Sequence, residues 1–352
     1  MVKITINDNV TKLKQKSKAK NTQDKYDGDW LKFINYCQNK YLCNPLEVDD
    51  LESAYALTAN YMDWLHEDPE ATVFKGTSNI AGREKINNNP YSASPYKAST
   101  IQRILASITY KYRLNGFQFD RKNPNIAETI SAIVRDEKNL KSSQAKELLK
   151  EDIVKIIDSI PNSEEEYKNI RDKALILIGF YSFCRRSELL GMRFEHLNFA
   201  DDGIQVLIPF SKTDQTGEGR MIFLPATNDK YCPVKALNHW LELAMIESGP
   251  LFYKINKSNT IEKYTMNYKN EKVSLNDASF VLILKKRAAE AGLNDCNKIS
   301  GHSLRIGSIT QARMNGVPTH EIMAQSGHKT TQMIDRYTKL SNIRETSAAK
   351  KI

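Results

Sequence analysis

No apolar run in this 352-residue chain approaches the ~20 residues that cross a bilayer, so a membrane-spanning helix is not expected. The opening MVKITINDNV lacks the apolar block of a secretory signal. Cysteine is scarce: the five residues, at 37, 43, 184, 232 and 296, are odd in number and form no C-x-x-C pair. That argues against a disulfide framework and against a thiolate zinc site, and a reducing cytoplasm is the expected compartment. Acids are in deficit, 42 Asp and Glu against 51 Lys and Arg, which leaves a net charge of +9. Such a balance favours a polyanionic partner, nucleic acid foremost. Hydrophobic and charged contents of 40% and 26% are those of a soluble globular protein, long enough here for two domains with a core each.

The first twenty positions hold six lysines and one acid, Asp8, and read as a flexible basic arm, 1–20. A helical period begins near Thr22, with Tyr26, Trp30, Phe33, Ile34 and Cys37 on one face. A second helix is expected over 49–66. Residues 67–97, with prolines, glycines and an Asn87-Asn88-Asn89-Pro90 run, read as a long loop or insertion. From Ser99 an amphipathic helix resumes through Ile101, Ile104, Leu105, Ile108 and Tyr112, and a last one is expected over 124–138. Residues 21–138 therefore read as an all-α domain.

The polar, basic stretch 139–147 suits a linker. Beyond it the pattern is mixed. Helices are expected at 151–160, 167–181, 233–247, 276–291, 303–315, 318–326 and 330–337. Strand-like runs at 203–210 and 221–224 flank a loop with Gly217 and Gly219 and read as a hairpin. The fold class is thus mostly α with a small β-hairpin or sheet in the second domain, 148–340, followed by a tail, 341–352.

The chemistry-bearing residues come late. Gly301-His302-Ser303-Leu304-Arg305 is followed by Gly327-His328 and then Tyr337, and Arg185-Arg186-Ser187-Glu188-Leu189-Leu190 stands upstream. Each piece alone says little: His-x-x-Arg occurs by chance, Gly-His often marks a helix end, and a lone tyrosine is usually packing. Together they supply what a phosphodiester under attack needs, positive donors for its non-bridging oxygens and a hydroxyl nucleophile. His302 and Arg305, at i and i+3, share a face of any helix that starts there. Glu188, three after Arg185, is placed to orient that arginine, so Arg186 points elsewhere. The two histidines have no acidic or thiol third ligand at useful spacing, and no metal site is expected.

The order and spacing of this set resemble the tyrosine recombinases, the DNA strand-exchange enzymes that include phage integrases and Cre. Ser300-Gly301-His302-Ser303-x-Arg305 and Gly316-Val317 with Glu321-Ile322-Met323 look especially like the Cre branch. The resemblance covers most of 145–340 and is weaker over the helical first domain. It implies a catalytic set of Arg185, Lys212, His302, Arg305, His328 and the nucleophile Tyr337, with Glu188 in support. Lys212 is placed by its position at the hairpin turn, and Arg220 on the far side of the turn is the competing candidate.

The resemblance further implies a site-specific recombinase that cuts and rejoins DNA strands through a 3′-phosphotyrosyl link and a Holliday junction, without metal, nucleotide or other cofactor. The partner is a double-stranded target site, gripped by a C-shaped clamp of a helical core DNA-binding domain and a catalytic domain. Two protomers on each of two sites make a homotetramer, with the tail docking onto a neighbouring subunit. Lys97, Arg103, Lys111 and Arg113 are the expected DNA contacts. The expected location is the cytoplasm, in association with the nucleoid. Two other readings share features of the chain: a type IB topoisomerase with the same catalytic set, and a DNA-binding regulator with a degenerate site.

Overall fold

The computed structural model describes residues 20–68, 96–138, 145–162, 166–209, 219–267 and 271–335. The expected basic arm, most of the 67–97 insertion, the turn carrying Lys212, and Tyr337 with the tail lie outside these residues. Contacts divide the chain into two compact units, Met1–Ser142 and Ser143–Ile352. No helix among the described residues is long and apolar enough to cross a membrane.

The first unit holds α1 (Lys20–Tyr41), α2 (Leu51–Glu67), α3 (Ala98–Leu114) and α4 (Pro124–Lys138). Local chemistry sets the starts. The Asp50 carboxylate accepts the Ser53 N–H at 2.7 Å, satisfying an orphan donor of α2. Pro124, whose missing N–H costs nothing at a first helical position, opens α4, and the Asn123 side chain accepts the Asn125 N–H at 3.0 Å. The 3.6-residue period of α3 buries Ile101, Ile104, Leu105, Ile108 and Tyr112. Tyr112 stacks on Phe119 with centroids 4.8 Å apart, and Phe33 meets Tyr61 at 5.1 Å. Each such side chain contributes about 1.5–3 kcal/mol by leaving water. The basic face of α3 does not stand free of acids. Arg103 pairs with buried Asp29 of α1, which also accepts from Ser107 at 3.1 Å, and Lys111 pairs with Asp27.

The second unit contains α5 (Lys150–Ser159), α6 (Tyr167–Tyr181), α7 (Arg186–Leu190), β1 (Leu197–Ala200), β2 (Gly203–Ile208), β3 (Arg220–Pro225), α8 (Pro233–Leu243), α9 (Asp277–Glu290), α10 (Ser303–Met314) and α11 (Thr319–Ser326). Residues 331–335 are also helical. The end of the expected linker lies along this unit: Lys146 N–H donates to the Lys298 carbonyl, Leu148 N–H to that of Ser303, and Leu148 is fully buried. Helix α6 is buried on nearly every side from Ile170 to Phe180, which makes it the central helix, flanked by α8 and α10. The strands form an antiparallel sheet in the order β1-β2-β3. Strand β1 is additional to the expected hairpin. Helix α8 stops at Leu243, short of the expected 247, because Met245 takes a left-handed φ of 49°. Ile204, Val206 and Ile208 face the core opposite Leu224, Ile222 and Arg220, while Leu207, Met221 and Phe223 face out.

A buried ionic cluster ties α6 to α9. Asp172 accepts from Arg171 Nε at 3.0 Å and Nη2 at 2.6 Å, and from Arg287 Nε at 2.8 Å. All three side chains are at most 6% exposed. Asp172→Ala leaves two guanidiniums short of their shared counter-charge and is expected to cost about 3–5 kcal/mol. Urea unfolding reads this directly, and a loss below about 1 kcal/mol contradicts the assignment.

Candidate active site

Helix α10 carries Arg305, and the backbone of an adjoining segment holds the helix in place. A Cβ added at Gly307 would lie 1.7 Å from the Leu148 carbonyl oxygen, so only glycine permits this approach. Arg305 is buried, yet its guanidinium is well supplied with acceptors. Nη1 donates to the Phe183 carbonyl at 2.6 Å and to that of Ser326 at 2.8 Å. Phe183 has a φ of 56°, a left-handed conformation that costs an aromatic residue about 1–2 kcal/mol. The chain holds that strain just before Arg185.

Arg185 is the residue preceding α7, and Glu188 is at the third position of that helix. Glu188 Oε2 accepts the Arg185 backbone N–H at 2.9 Å, while Oε1 accepts Arg185 Nη1 at 2.8 Å. The i, i+3 relation thus works through a helix-start contact as well as a side-chain pair. Arg186 turns to Asp277 of α9, 2.5 Å away. Arg220, on the core side of β3, brings a second guanidinium to Glu188, with Nη2 3.0 Å from Oε2. Burial alone raises the Glu188 carboxyl, but Arg220 and then Arg185 outweigh it and hold the pKa below its ordinary value.

Gly327 ends α11 with a φ of 70°, the left-handed turn that glycine makes without penalty, and its N–H returns to the Met323 carbonyl at 2.8 Å. The turn delivers His328 into the buried region. Ser326 Oγ lies 2.7 Å from His328 Nδ1, and Arg305 Nη2 lies 3.0 Å from Nε2. Nη2 also lies 3.3 Å from Nδ1, so the guanidinium lies against the ring, where its charge disfavours protonation of the imidazole. Desolvation first, then Arg305, Arg185 and Arg220, push the His328 pKa down to about 4. His302 precedes α10 and is more open to solvent, and its N–H donates to Ser300 Oγ at 3.2 Å. Its pKa is also lowered, by desolvation and then by Arg305, Arg186 and Arg185.

Arg185, Glu188, His302, Arg305 and His328 therefore converge. Their electrostatic coupling is mutual: both histidines feel both arginines. What they form is a strongly cationic, partly desolvated cluster, suited to a phosphodiester's charge. Residues 146–344 match the profile of the Phage integrase family, more than half of the chain. The chain belongs to the phage integrase family. An integrase/recombinase xerD homolog of Selenomonas ruminantium is 31% identical over 333 residues, covering 94% of this chain and 84% of the relative. Tyrosine recombinase XerA of Pyrococcus furiosus is 21% identical over 252 residues, covering 71% of this chain and 72% of its own. Among solved structures, a XerH site-specific recombinase on a palindromic difH substrate aligns with a TM-score of 0.58 at 18% identity, covering 97% of this chain and 82% of that one. A lambda integrase dimer on a COC′ core site aligns at 0.52 and 16%, covering 94% and 93%. These two structures share the fold. The matches establish the family rather than the Cre branch suggested by its local wording.

In this integrase-family chain the two expected groups that move with proton and bond, Lys212 and Tyr337, lie outside the described residues. The four expected DNA contacts belong to the first unit. Lys97 is exposed at the start of α3, and Arg113 Nε donates to the Phe119 carbonyl at 2.9 Å. Sequence reasoning weighed Arg220 only as a rival proton donor to Lys212. The signal for its place was the strand period: Arg220, Ile222 and Leu224 alternate onto one face, so Arg220 points inward with the core.

The depressed His328 pKa has a pH consequence. A group whose folded pKa lies below its unfolded value supports the fold above the unfolded pKa and loses that support as pH falls. Stability tied to neutral His328 is therefore full above its ordinary value of 6.5 and is lost on the way down to about 4, by up to ~3 kcal/mol. His328→Gln should flatten the melting temperature across that window. A wild-type curve no steeper than the variant's refutes a buried neutral imidazole.

Proposed function

We propose that this integrase-family chain is a site-specific DNA recombinase that cuts and rejoins strands of double-stranded DNA through a 3′-phosphotyrosyl link on Tyr337 and a Holliday junction. The observation that carries the reading is the convergence of Arg185 with Glu188 and of Arg305 with His328 on one cationic cluster. A phenol with pKa near 10 is only about 0.1% ionised at pH 7, so the nucleophile needs positive surroundings and a proton acceptor. Arg185 and Arg305, always charged, hold the non-bridging oxygens. His328 turns from Arg305 to donate an N–H to the phosphate. His302 is a neutral base at pH 7 and takes the phenolic proton. The Tyr337 oxygen bonds to phosphorus, the bond to the 5′ oxygen breaks, and Lys212 protonates that oxygen. The new ester conserves the bond, so a 5′-hydroxyl from a partner strand reverses the step without metal or nucleotide.

Lys97, Arg103, Lys111 and Arg113 are proposed to meet DNA from α3. For Arg103 and Lys111 the phosphate competes with Asp29 and Asp27, so Lys97 and Arg113 contribute the less compensated charge. The assembly proposed is a dimer per site and a tetramer on two sites, in the cytoplasm with the nucleoid. The five-part division of the sequence, arm, helical DNA-binding domain, linker, catalytic domain and docking tail, is retained in this proposal.

A test uses plasmids carrying two copies of a duplex that the protein itself has trapped covalently from random sequence. Recombination predicts exchanged flanks, as excised circles or inverted segments. A ladder of topoisomers without exchange supports a topoisomerase instead, and binding without any covalent product supports a regulator.

A further inference from the structure

We propose that Arg220 is a positioning residue of the transesterification site: it anchors Glu188, and Glu188 in turn aligns Arg185 on the scissile phosphate. The inference rests on the reading of Arg185 as a phosphate-binding residue. It begins with strand parity. Arg220 is cross-strand from Ile208 and on the same face as Ile222 and Leu224, a row that otherwise holds only apolar side chains. A guanidinium on the core face of a sheet is costly unless paired, and its side chain is only 16% exposed. Its partner is Glu188, itself 3% exposed.

The carboxylate is divided between two arginines. Oε1 takes Arg185 Nη1 at 2.8 Å, and Oε2 takes both Arg185 N–H at 2.9 Å and Arg220 Nη2 at 3.0 Å. Without Arg220, Oε2 keeps only the Arg185 N–H, so the carboxylate and the guanidinium it orients are held less firmly. Arg220 is fixed on its other sides as well. Nη2 also lies 3.5 Å from Cys184 Sγ, and a Cβ added at Gly327 would stand 2.9 Å from Nη1 and 3.0 Å from Cζ and Nε. The guanidinium therefore packs against the turn that delivers His328, linking the β2–β3 hairpin, the Arg185 pair and that turn.

Two other roles fit less well. A proton donor must give up its proton, and arginine stays charged at any working pH. A stabilising ion pair would balance its charges, whereas Arg185 and Arg220 share a single buried carboxylate. Nε and Nη1 of Arg220 are moreover buried with no acceptor among the described residues. The excess of positive charge is useful only when an anion arrives.

The experiment measures single-turnover cleavage on a duplex recovered by covalent trapping with the wild-type protein, with DNA affinity and melting temperature read in parallel. Arg220→Met should cleave about 10–100-fold more slowly while affinity stays within about threefold, with Glu188 still paired to Arg185. Arg220→Lys, which keeps the charge and one donor, should recover part of the loss and serves where the methionine variant fails to fold. Added to Arg185→Ala, the Arg220→Met change should slow cleavage little further, because its effect passes through Arg185. Losses that multiply overturn the positioning role in favour of an independent contact. A 5′-bridging sulfur substrate that restores Arg220→Met overturns it in favour of a proton donor, and an unchanged rate overturns it outright. Failure of the wild-type protein to trap any duplex is a distinct result, and it removes the phosphate-transfer reading on which the role of Arg220 rests.

Discussion

Tyr337→Phe is expected to fold, melt and bind DNA as the unaltered chain does, and to form no covalent DNA adduct. The substitution removes one hydroxyl and keeps the ring, so packing is nearly conserved. In the proposed mechanism the hydroxyl oxygen is the atom that bonds to phosphorus. The other proposed site residues do not replace it: the arginines donate only, and the histidines are assigned proton and hydrogen-bond roles in the proposed mechanism. The rate of adduct formation should therefore fall at least about 10⁴-fold, the scale seen when a covalent nucleophile is deleted and only binding and charge stabilisation remain. Denaturing electrophoresis of the protein with end-labelled duplex measures the adduct. A labelled, denaturation-resistant band of undiminished intensity from Tyr337→Phe assigns the nucleophile to another residue.

Most elements of this fold were readable because their information is local. The period of Ile126, Ile130, Ile133 and Val134 led to a helix over 124–138, and the structure has Pro124–Lys138. Strand β1 was missed because Leu197-Asn198-Phe199-Ala200 is too short to show an alternation, and becomes a strand only by pairing with β2. The site divides in the same way. The Arg185–Glu188 pair lies three residues apart and was visible. Arg220 reaches Glu188 across 32 residues, and Arg287 reaches Asp172 across 115, so neither partnership leaves a local mark. No acid stands within 97–113, so the partners of the α3 basic face are equally remote in sequence. Asp29 and Asp27 precede their partners by 74 and 84 residues and meet them only once α1 packs on α3.

Convergence also shapes how the site presents its positive charge. Each arginine is held by acceptors that do not neutralise it fully. Arg305 leans on the carbonyls of Phe183 and Ser326, which carry dipoles and no charge. Glu188 is the carboxylate on which Arg185 and Arg220 meet. Preorganised donors in a desolvated site lose little reorganisation energy when the phosphate gains charge in the transition state. Desolvation, and then the same arginines, lower the pKa of His302 and of His328 and favour their neutral forms.

Leaving-group chemistry and phosphate grip are separable, and Lys212→Ala should show it. An alkoxide departs poorly without a proton, so losing the general acid should slow cleavage of an ordinary strand by about 10²–10⁴-fold. A substrate with sulfur at the 5′-bridging position leaves as a thiolate, whose conjugate acid has a pKa near 8.5, and scarcely needs that proton. Sulfur should therefore return Lys212→Ala to within about tenfold of the wild-type rate on the same substrate. Arg185→Ala and Arg305→Ala should stay slow on it, because the non-bridging oxygens they hold are unaltered. Arg220→Ala should also stay slow, since a permanently charged guanidinium engaged with Glu188 has no proton to give. If sulfur restores Arg220→Ala and leaves Lys212→Ala defective, the proton comes from β3, and the lysine of the turn is only another surface charge.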